Sequence, residues 1–176
     1  GSGTPIVFVH EFAGDARSWE PQMRYFSRRY RCIAYCARGY PPSDVPEGYD
    51  RYSQERARDD IRAVLDALKI EKAHIVGLSM GANATLHFGL TYPQRALSLT
   101  FAGGGYGSHP ATHAKFQEDS RANAETIRQH GMAHFVSTYG VGSARVQYQN
   151  KDPRGFDEYL RQFNEHSALG SMNTLL

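Results

Sequence analysis

Two cysteines in 176 residues leave no room for a disulfide framework. Cys32 and Cys36 fall on what reads as one strand, where four residues of rise set them about 13 Å apart, beyond disulfide reach. Two thiols that cannot bridge each other fit a reducing compartment, so the cytoplasm is the expected location. A Cys-x-x-x-Cys metal site would need two further ligands at recognisable spacing, which the chain lacks, so no metal is expected. At least one thiol reads as a small buried hydrophobe. No apolar run approaches the ~20 residues needed to cross a bilayer, and the opening residues do not read as a secretory signal. Neither sign of charge dominates: 20 basic against 18 acidic residues give a net charge of +2, so no broad field steers the chain to nucleic acid or an anionic membrane. The one basic run, Arg28-Arg29-Tyr30-Arg31, reads as a solvated helix end. There is no internal repeat and no low-complexity tract.

What is present is an ordinary globular composition, 40% hydrophobic and 22% charged, on a chain long enough to bury a real core. Ile6-Val7-Phe8-Val9 is a continuous apolar run, as expected of a strand covered on both faces. A helix is expected from Ser18, with Trp19, Met23 and Phe26 along one side. Cys32 to Tyr35 reads as a second strand. After a loop rich in proline and glycine, Ser53 can cap a helix whose Ala57, Ile61, Val64, Leu65 and Leu68 form an apolar face. Ala73 to Val76 is the third strand, Gly81 to Thr91 the third helix, and Leu97 to Phe101 the fourth strand. This alternation argues for βαβ units and a parallel sheet, hence an α/β fold.

Beyond Ala102 the rhythm changes. Gly103-Gly104-Gly105 is a flexible break, and residues 111–169 carry a mainly helical pattern. Asp152-Pro153 places a cap before a proline suited to the first helical turn, and Phe156, Tyr159, Leu160 and Phe163 then make one apolar face. The expected organisation is a core over residues 1–104 and a helical lid over 105–176.

Gly77-Leu78-Ser79-Met80-Gly81 joins the third strand to the third helix. That is the context a G-x-S-x-G nucleophile elbow requires, because a sharp strand-to-helix turn lifts the serine hydroxyl out at the carboxyl end of the strand. A Cβ at Gly77 or Gly81 would collide with neighbouring backbone. The alternative reading of Ser79 is a small residue in a tight turn of a non-catalytic α/β protein.

Taken with two further segments, the chain resembles the α/β-hydrolase superfamily from about Thr4 to Ala102. Val9-His10-Glu11-Phe12 resembles the family's His-Gly-x-x loop, and Arg38-Gly39-Tyr40-Pro41-Pro42-Ser43 its Arg-Gly-x-Gly-x-Ser stretch. The departures are Glu11 for glycine, Cys36 for a common aspartate, Pro41 for the second glycine and Ala82 for a third elbow glycine. The resemblance implies a cofactor-independent serine hydrolase with Ser79 as nucleophile, and with the backbone N–H groups of Met80 and Phe12 as oxyanion donors. It implies an ester or similar acyl bond in the substrate, and the lid aromatics Phe116, Phe135, Tyr139, Phe156, Tyr159 and Phe163 suit a small, rather apolar one, while the charge balance argues against a nucleic acid or membrane partner. His10 reads as a brace for its loop. Glu11 either faces the mouth of the pocket or lies in solvent.

The family's triad continues with an acid and then a histidine at later strand ends. None of His87, His109, His113, His130, His134 and His166 follows a strand-like run. Pro110 and Gly131 interrupt the i, i+4 pairs His109/His113 and His130/His134, so these are expected to be solvated or packed rather than zinc ligands. The chain is therefore expected to be part of a longer one, with the acid and base outside it. The alternative is a non-catalytic ligand-binding member or an inactive fragment.

Overall fold

The apolar run after Thr4 forms β1 (Pro5–Val9) in the computed structural model, which describes residues 1–176. The other strands are β2 (Arg31–Ala34), β3 (Ala73–Leu78) and β4 (Ala96–Ala102). All pairings are parallel, and the strands lie side by side in the order β2-β1-β3-β4. The alternation seen in the sequence thus yields the expected α/β sheet.

The helix expected from Ser18 is divided. Asp15 caps a 3₁₀ turn, Ala16–Trp19, and α1 (Glu20–Phe26) restarts beyond it. Pro21 falls in the first turn of α1, the one place where its fixed φ and missing N–H suit a helix. Ser53 caps α2 (Gln54–Ala67) by accepting the Arg56 N–H, and α3 (Met80–Thr91) follows β3 directly.

Successive side chains of a strand point to opposite faces, and both faces of β1 are covered. Val7 and Val9 pack with Ile61 and Leu65 of α2, Ile75 of β3 and Phe88 of α3. Ile6 and Phe8 pack with Trp19, Met23 and Phe26 on the other side. Ile61, Leu65 and Phe88 are fully buried, and each such side chain contributes roughly 1.5–3 kcal/mol of hydrophobic stabilisation.

Residues beyond the glycine break form α4 (Pro110–Tyr139), α5 (Val146–Lys151), α6 (Pro153–Asn164) and α7 (Ala168–Leu175). Gly131 takes φ 76° and ψ 176°, interrupting α4 as its position suggests. The Asp152 side chain caps α6 by accepting the Gly155 N–H at 2.9 Å. This helical segment packs on the core through Ile127, Met132, Phe135, Val136 and Phe163, which surround Phe12, Ala13 and Tyr40. At its end, Asn173 donates to the Glu47 carbonyl at 3.1 Å.

The outer strands are open. On β4, Leu97, Leu99 and Phe101 remain 47%, 42% and 43% exposed, beside Leu90 of α3 at 74%. Along β2 runs a groove of about 650 Å³ lined by Cys32, Ile33, Tyr35, Met23, Val64 and Leu68. Unpaired strand edges flanked by apolar surface recruit other chains. The 176-residue chain should therefore melt with a concentration-dependent, poorly reversible transition, and Leu97→Lys should reduce its self-association in sedimentation runs. A sharp, reversible, monomeric transition at micromolar concentration would contradict this.

Candidate active site

Ser79 is a non-glycine residue at φ 52° and ψ −112°. Such backbone is strained for a residue with a Cβ, and it persists only where the surroundings impose it. Here they do. The Ser79 N–H donates to the Ala102 carbonyl of β4 at 2.8 Å, while its own carbonyl accepts the Ala82 and Asn83 N–H groups of the first turn of α3 at 3.0 and 3.2 Å. The serine is pinned on one side to the sheet and on the other to the helix.

Glycine at the two flanking positions makes this turn possible. A Cβ on Gly81 would stand 2.6 Å from the Val9 carbonyl carbon and 2.7 Å from the His10 carbonyl oxygen, and one on Gly77 would be driven into Gly81 and Thr85. The first turn of α3 therefore rests against the end of β1 and the loop that follows. Two elements 70 residues apart in sequence meet there.

That loop is held by its own network. His10 is fully buried, and its Nε2 accepts the Ala37 N–H at 2.9 Å. Its proton must then sit on Nδ1, which donates to the Glu11 carbonyl at 2.7 Å. The same carbonyl accepts the Gly14 N–H at 3.2 Å. The Glu11 carbonyl and the Phe12 N–H belong to one rigid peptide plane, so these bonds fix where the Phe12 N–H points, and no acceptor within the chain takes it. The Tyr40 hydroxyl donates to the Phe12 carbonyl at 3.0 Å and lies 3.9 Å from the Met80 sulfur. Phe12 and Met80 are thereby neighbours across Tyr40. The N–H of Met80, first residue of α3, has no intrahelical acceptor, and the helix dipole adds partial positive charge there.

His10 serves as the brace its position suggests, with both ring nitrogens engaged. Burial pushes its imidazolium down to about 4, against the opposing hydrogen bond to the Glu11 carbonyl. Glu11 does not lie in solvent. Its Oε2 is buried without a partner, and burial pushes its carboxyl up, opposed by its own backbone N–H and Ser18.

Other groups joined to this loop lay outside the sequence reading. Asp15 and Ser18 form a capping box, in which Asp15 accepts the Arg17 N–H at 2.7 Å and Ser18 Oγ accepts the Asp15 N–H at 3.3 Å. The spacing of those residues is a readable signal. Arg17 grips Asp15 with two side-chain nitrogens and donates to Glu165 at 2.7 Å. His166 lies buried 3.6 Å from Asp15 with its ring 5.1 Å from that of Tyr40. Burial acts to raise the Asp15 carboxyl, but His166 and Arg17 outweigh it and hold the group well below the usual carboxylate range. No spacing rule links residues 15, 40 and 166.

Three further histidines are engaged by their own neighbours. His74 bonds Ser98 at 2.7 Å, His113 bonds the Gly107 carbonyl at 2.7 Å, and His109 caps α4 through its Nδ1. No histidine nitrogen bonds the Ser79 hydroxyl, and no cluster of three or more His, Cys, Asp or Glu side chains could hold a metal ion.

Residues 4–127 match the family model described as the alpha/beta hydrolase fold. The chain is 32% identical over 168 residues to 3-oxoadipate enol-lactonase 1 of Acinetobacter baylyi, covering 96% of this chain and 60% of that protein. It is 32% identical over 104 residues to epoxide hydrolase 3 of Mus musculus, covering 59% of this chain and 28% of that one. The crystal structure of the enol-lactonase from Burkholderia xenovorans LB400 superimposes with a TM-score of 0.82 at 21% identity, covering 99% of this chain and 64% of that chain, a likeness of fold. The chain thus spans less than two thirds of the length of these relatives.

Neutral, buried His10 has a consequence for stability. Once unfolded, its imidazole takes a proton near pH 6.5, whereas folded it does so only near pH 4. Stability present above pH 6.5 is therefore lost as pH falls toward 4, by on the order of 2–3 kcal/mol. Glu11, whose carboxyl is raised, works in the opposite sense. Denaturant titrations between pH 7 and 4.5 should show a smaller fall for His10→Gln than for the parent, and equal falls would contradict the assignment.

Proposed function

The chain belongs to the α/β-hydrolase family, and from that premise we propose that Ser79 is the nucleophile of a cofactor-independent hydrolase acting on an ester or similar acyl bond. The observation that carries this reading is the backbone of Ser79, at φ 52° between the end of β3 and the start of α3. Strain of that kind is maintained where it presents a side chain for chemistry.

In this reading the Ser79 oxygen attacks the substrate carbonyl carbon, and the carbonyl oxygen becomes an oxyanion. It accepts hydrogen bonds from the Met80 and Phe12 N–H groups, the second fixed in direction through His10 and Glu11 as described. Bonds to the Glu11 carbonyl also polarise that peptide, which strengthens its N–H as a donor. Collapse of the adduct expels the alcohol or enol and leaves an acyl-enzyme, which water resolves. The segment 105–176 acts as a lid over the core of residues 1–104. Its Phe135, Tyr139 and Phe163 surround Phe12 with ring centroids 5.9–6.3 Å away, which suits a small, rather apolar substrate.

A serine hydroxyl needs a base to take its proton. No histidine nitrogen of residues 1–176 bonds the Ser79 hydroxyl, so the reading assigns the base and its acid partner to chain outside these residues. The same observation favours a second reading for the 176 residues by themselves, an inert domain, since loss of the base typically costs on the order of a million-fold in turnover.

A fluorophosphonate distinguishes these readings. A form extended at both ends should be labelled, and Ser79→Ala should abolish the label, whereas the 176-residue chain should label slowly or not at all. Absence of labelling in the extended form would sink the hydrolase reading. Fast labelling of the short chain would show that a histidine within it serves as base.

A further inference from the structure

Tyr40 is fully buried, yet its hydroxyl is not spent on its own loop. It donates to the Phe12 carbonyl at 3.0 Å, a carbonyl that accepts no backbone N–H, and the same oxygen lies 3.9 Å from the Met80 sulfur. The two residues that carry the candidate oxyanion donors thus lie against one oxygen atom. Tyr40 itself has little freedom. Its N–H donates to the Ala37 carbonyl at 3.0 Å, while the Ala37 N–H is the group held by His10 Nε2 at 2.9 Å. Its ring stands edge-on to those of His10 and His166, with centroids 4.7 and 5.1 Å away. Burial pushes the phenol far above its ordinary range, so it stays protonated and remains a donor.

A ring that only filled space would pack equally well as phenylalanine. The hydroxyl adds a constraint. His10 holds the Glu11 carbonyl and with it the peptide plane that bears the Phe12 N–H. Tyr40 holds the Phe12 carbonyl and with it the next plane along the chain. With both planes fixed, the φ and ψ of Phe12 between them are fixed as well. Without the hydroxyl, the Phe12 carbonyl becomes a buried acceptor with no partner, and its peptide plane turns to find one. That rotation moves the Phe12 N–H relative to the N–H of Met80. Donors aimed at an oxyanion tolerate little error, since a misplacement of about 1 Å costs on the order of a hundredfold in rate.

We propose that Tyr40 is a positioning residue for the reaction at Ser79: its hydroxyl sets the separation of the Phe12 and Met80 N–H groups and so acts on the transition state without touching substrate. This rests on the reading of Ser79 and those two N–H groups as one site. The oxyanion exists only after attack, so the spacing of its donors bears on turnover rather than on substrate binding. Tyr52 offers the natural comparison. Its hydroxyl also donates to a carbonyl, that of Pro46 at 3.0 Å, which belongs to neither donor residue.

The test uses the extended form, with p-nitrophenyl butyrate and its thiocarbonyl analogue as substrates and with rates divided by the Ser79 content that takes up fluorophosphonate at completion. Tyr40→Phe, which keeps the packed ring, should lower kcat for the ester about tenfold and leave KM within about twofold. The analogue develops its charge on sulfur, at the end of a longer bond and as a weaker acceptor, so it gains less from the two donors. The ratio of ester to analogue rates should therefore fall about fivefold in Tyr40→Phe. Both rates come from one sample, so any loss of folded protein cancels in the ratio. Tyr52→Phe should leave kcat and the ratio unchanged. An unchanged ratio, a rise in KM alone, or an equal response to Tyr52→Phe would overturn the proposal. If Ser79 of the extended parent takes no label, the hydrolase reading fails and this proposal with it, whereas a labelled, active parent that ignores Tyr40→Phe sinks this proposal alone.

Discussion

The contact on which the rest depends is the backbone approach of α3 to the end of β1. It exists because Gly81 has no side chain where a Cβ would meet the Val9 and His10 carbonyls. With the helix that close, β3 cannot run smoothly into α3, and the chain turns through Ser79 at positive φ. The same approach brings the Met80 N–H beside the loop that carries Phe12. One missing methyl group therefore sets both the exposure of the serine and the neighbourhood of its candidate oxyanion donors.

The loop after β1 serves two structures at once. On its inner side it receives His10 and Tyr40, which hold the Glu11 and Phe12 carbonyls. On its outer side Arg17 reaches Glu165 and Asp15 lies against His166, at the junction of α6 and α7. The helical segment is thus fastened to the very loop whose peptide orientation matters for the site. The charged links are few, but Asp15 is buried and gripped by Arg17, so removing Arg17 would strand a buried carboxylate and cost more than breaking an exposed pair. Movement of the helices would be felt at Phe12.

Much of this was legible because local sterics dictate it. The continuous apolar run at Ile6–Val9 can only be a strand covered twice, and it is. The elbow glycines are fixed by contacts that any residue with a Cβ would violate. Asp152-Pro153 and Ser53 mark helix starts through chemistry confined to three or four residues. Tyr40 could not be read this way, since its hydroxyl meets residues 28 and 40 positions away. Glu11 was open between solvent and pocket because only the fold reveals that Ser18 and the helical segment close over it. Asp15 was within reach of sequence reasoning, as its capping box spans four residues; the helix predicted from Ser18 passed over it.

The claim that matters most is that Ser79 and the two N–H groups act on the same reacting centre. A crystal structure of the extended protein after reaction with a fluorophosphonate tests this directly. The account predicts phosphorus bonded to Ser79 Oγ, with the phosphoryl oxygen accepting hydrogen bonds from both the Met80 and Phe12 N–H groups. An adduct at another residue, or a phosphoryl oxygen turned to solvent with the Phe12 N–H unused, would contradict it.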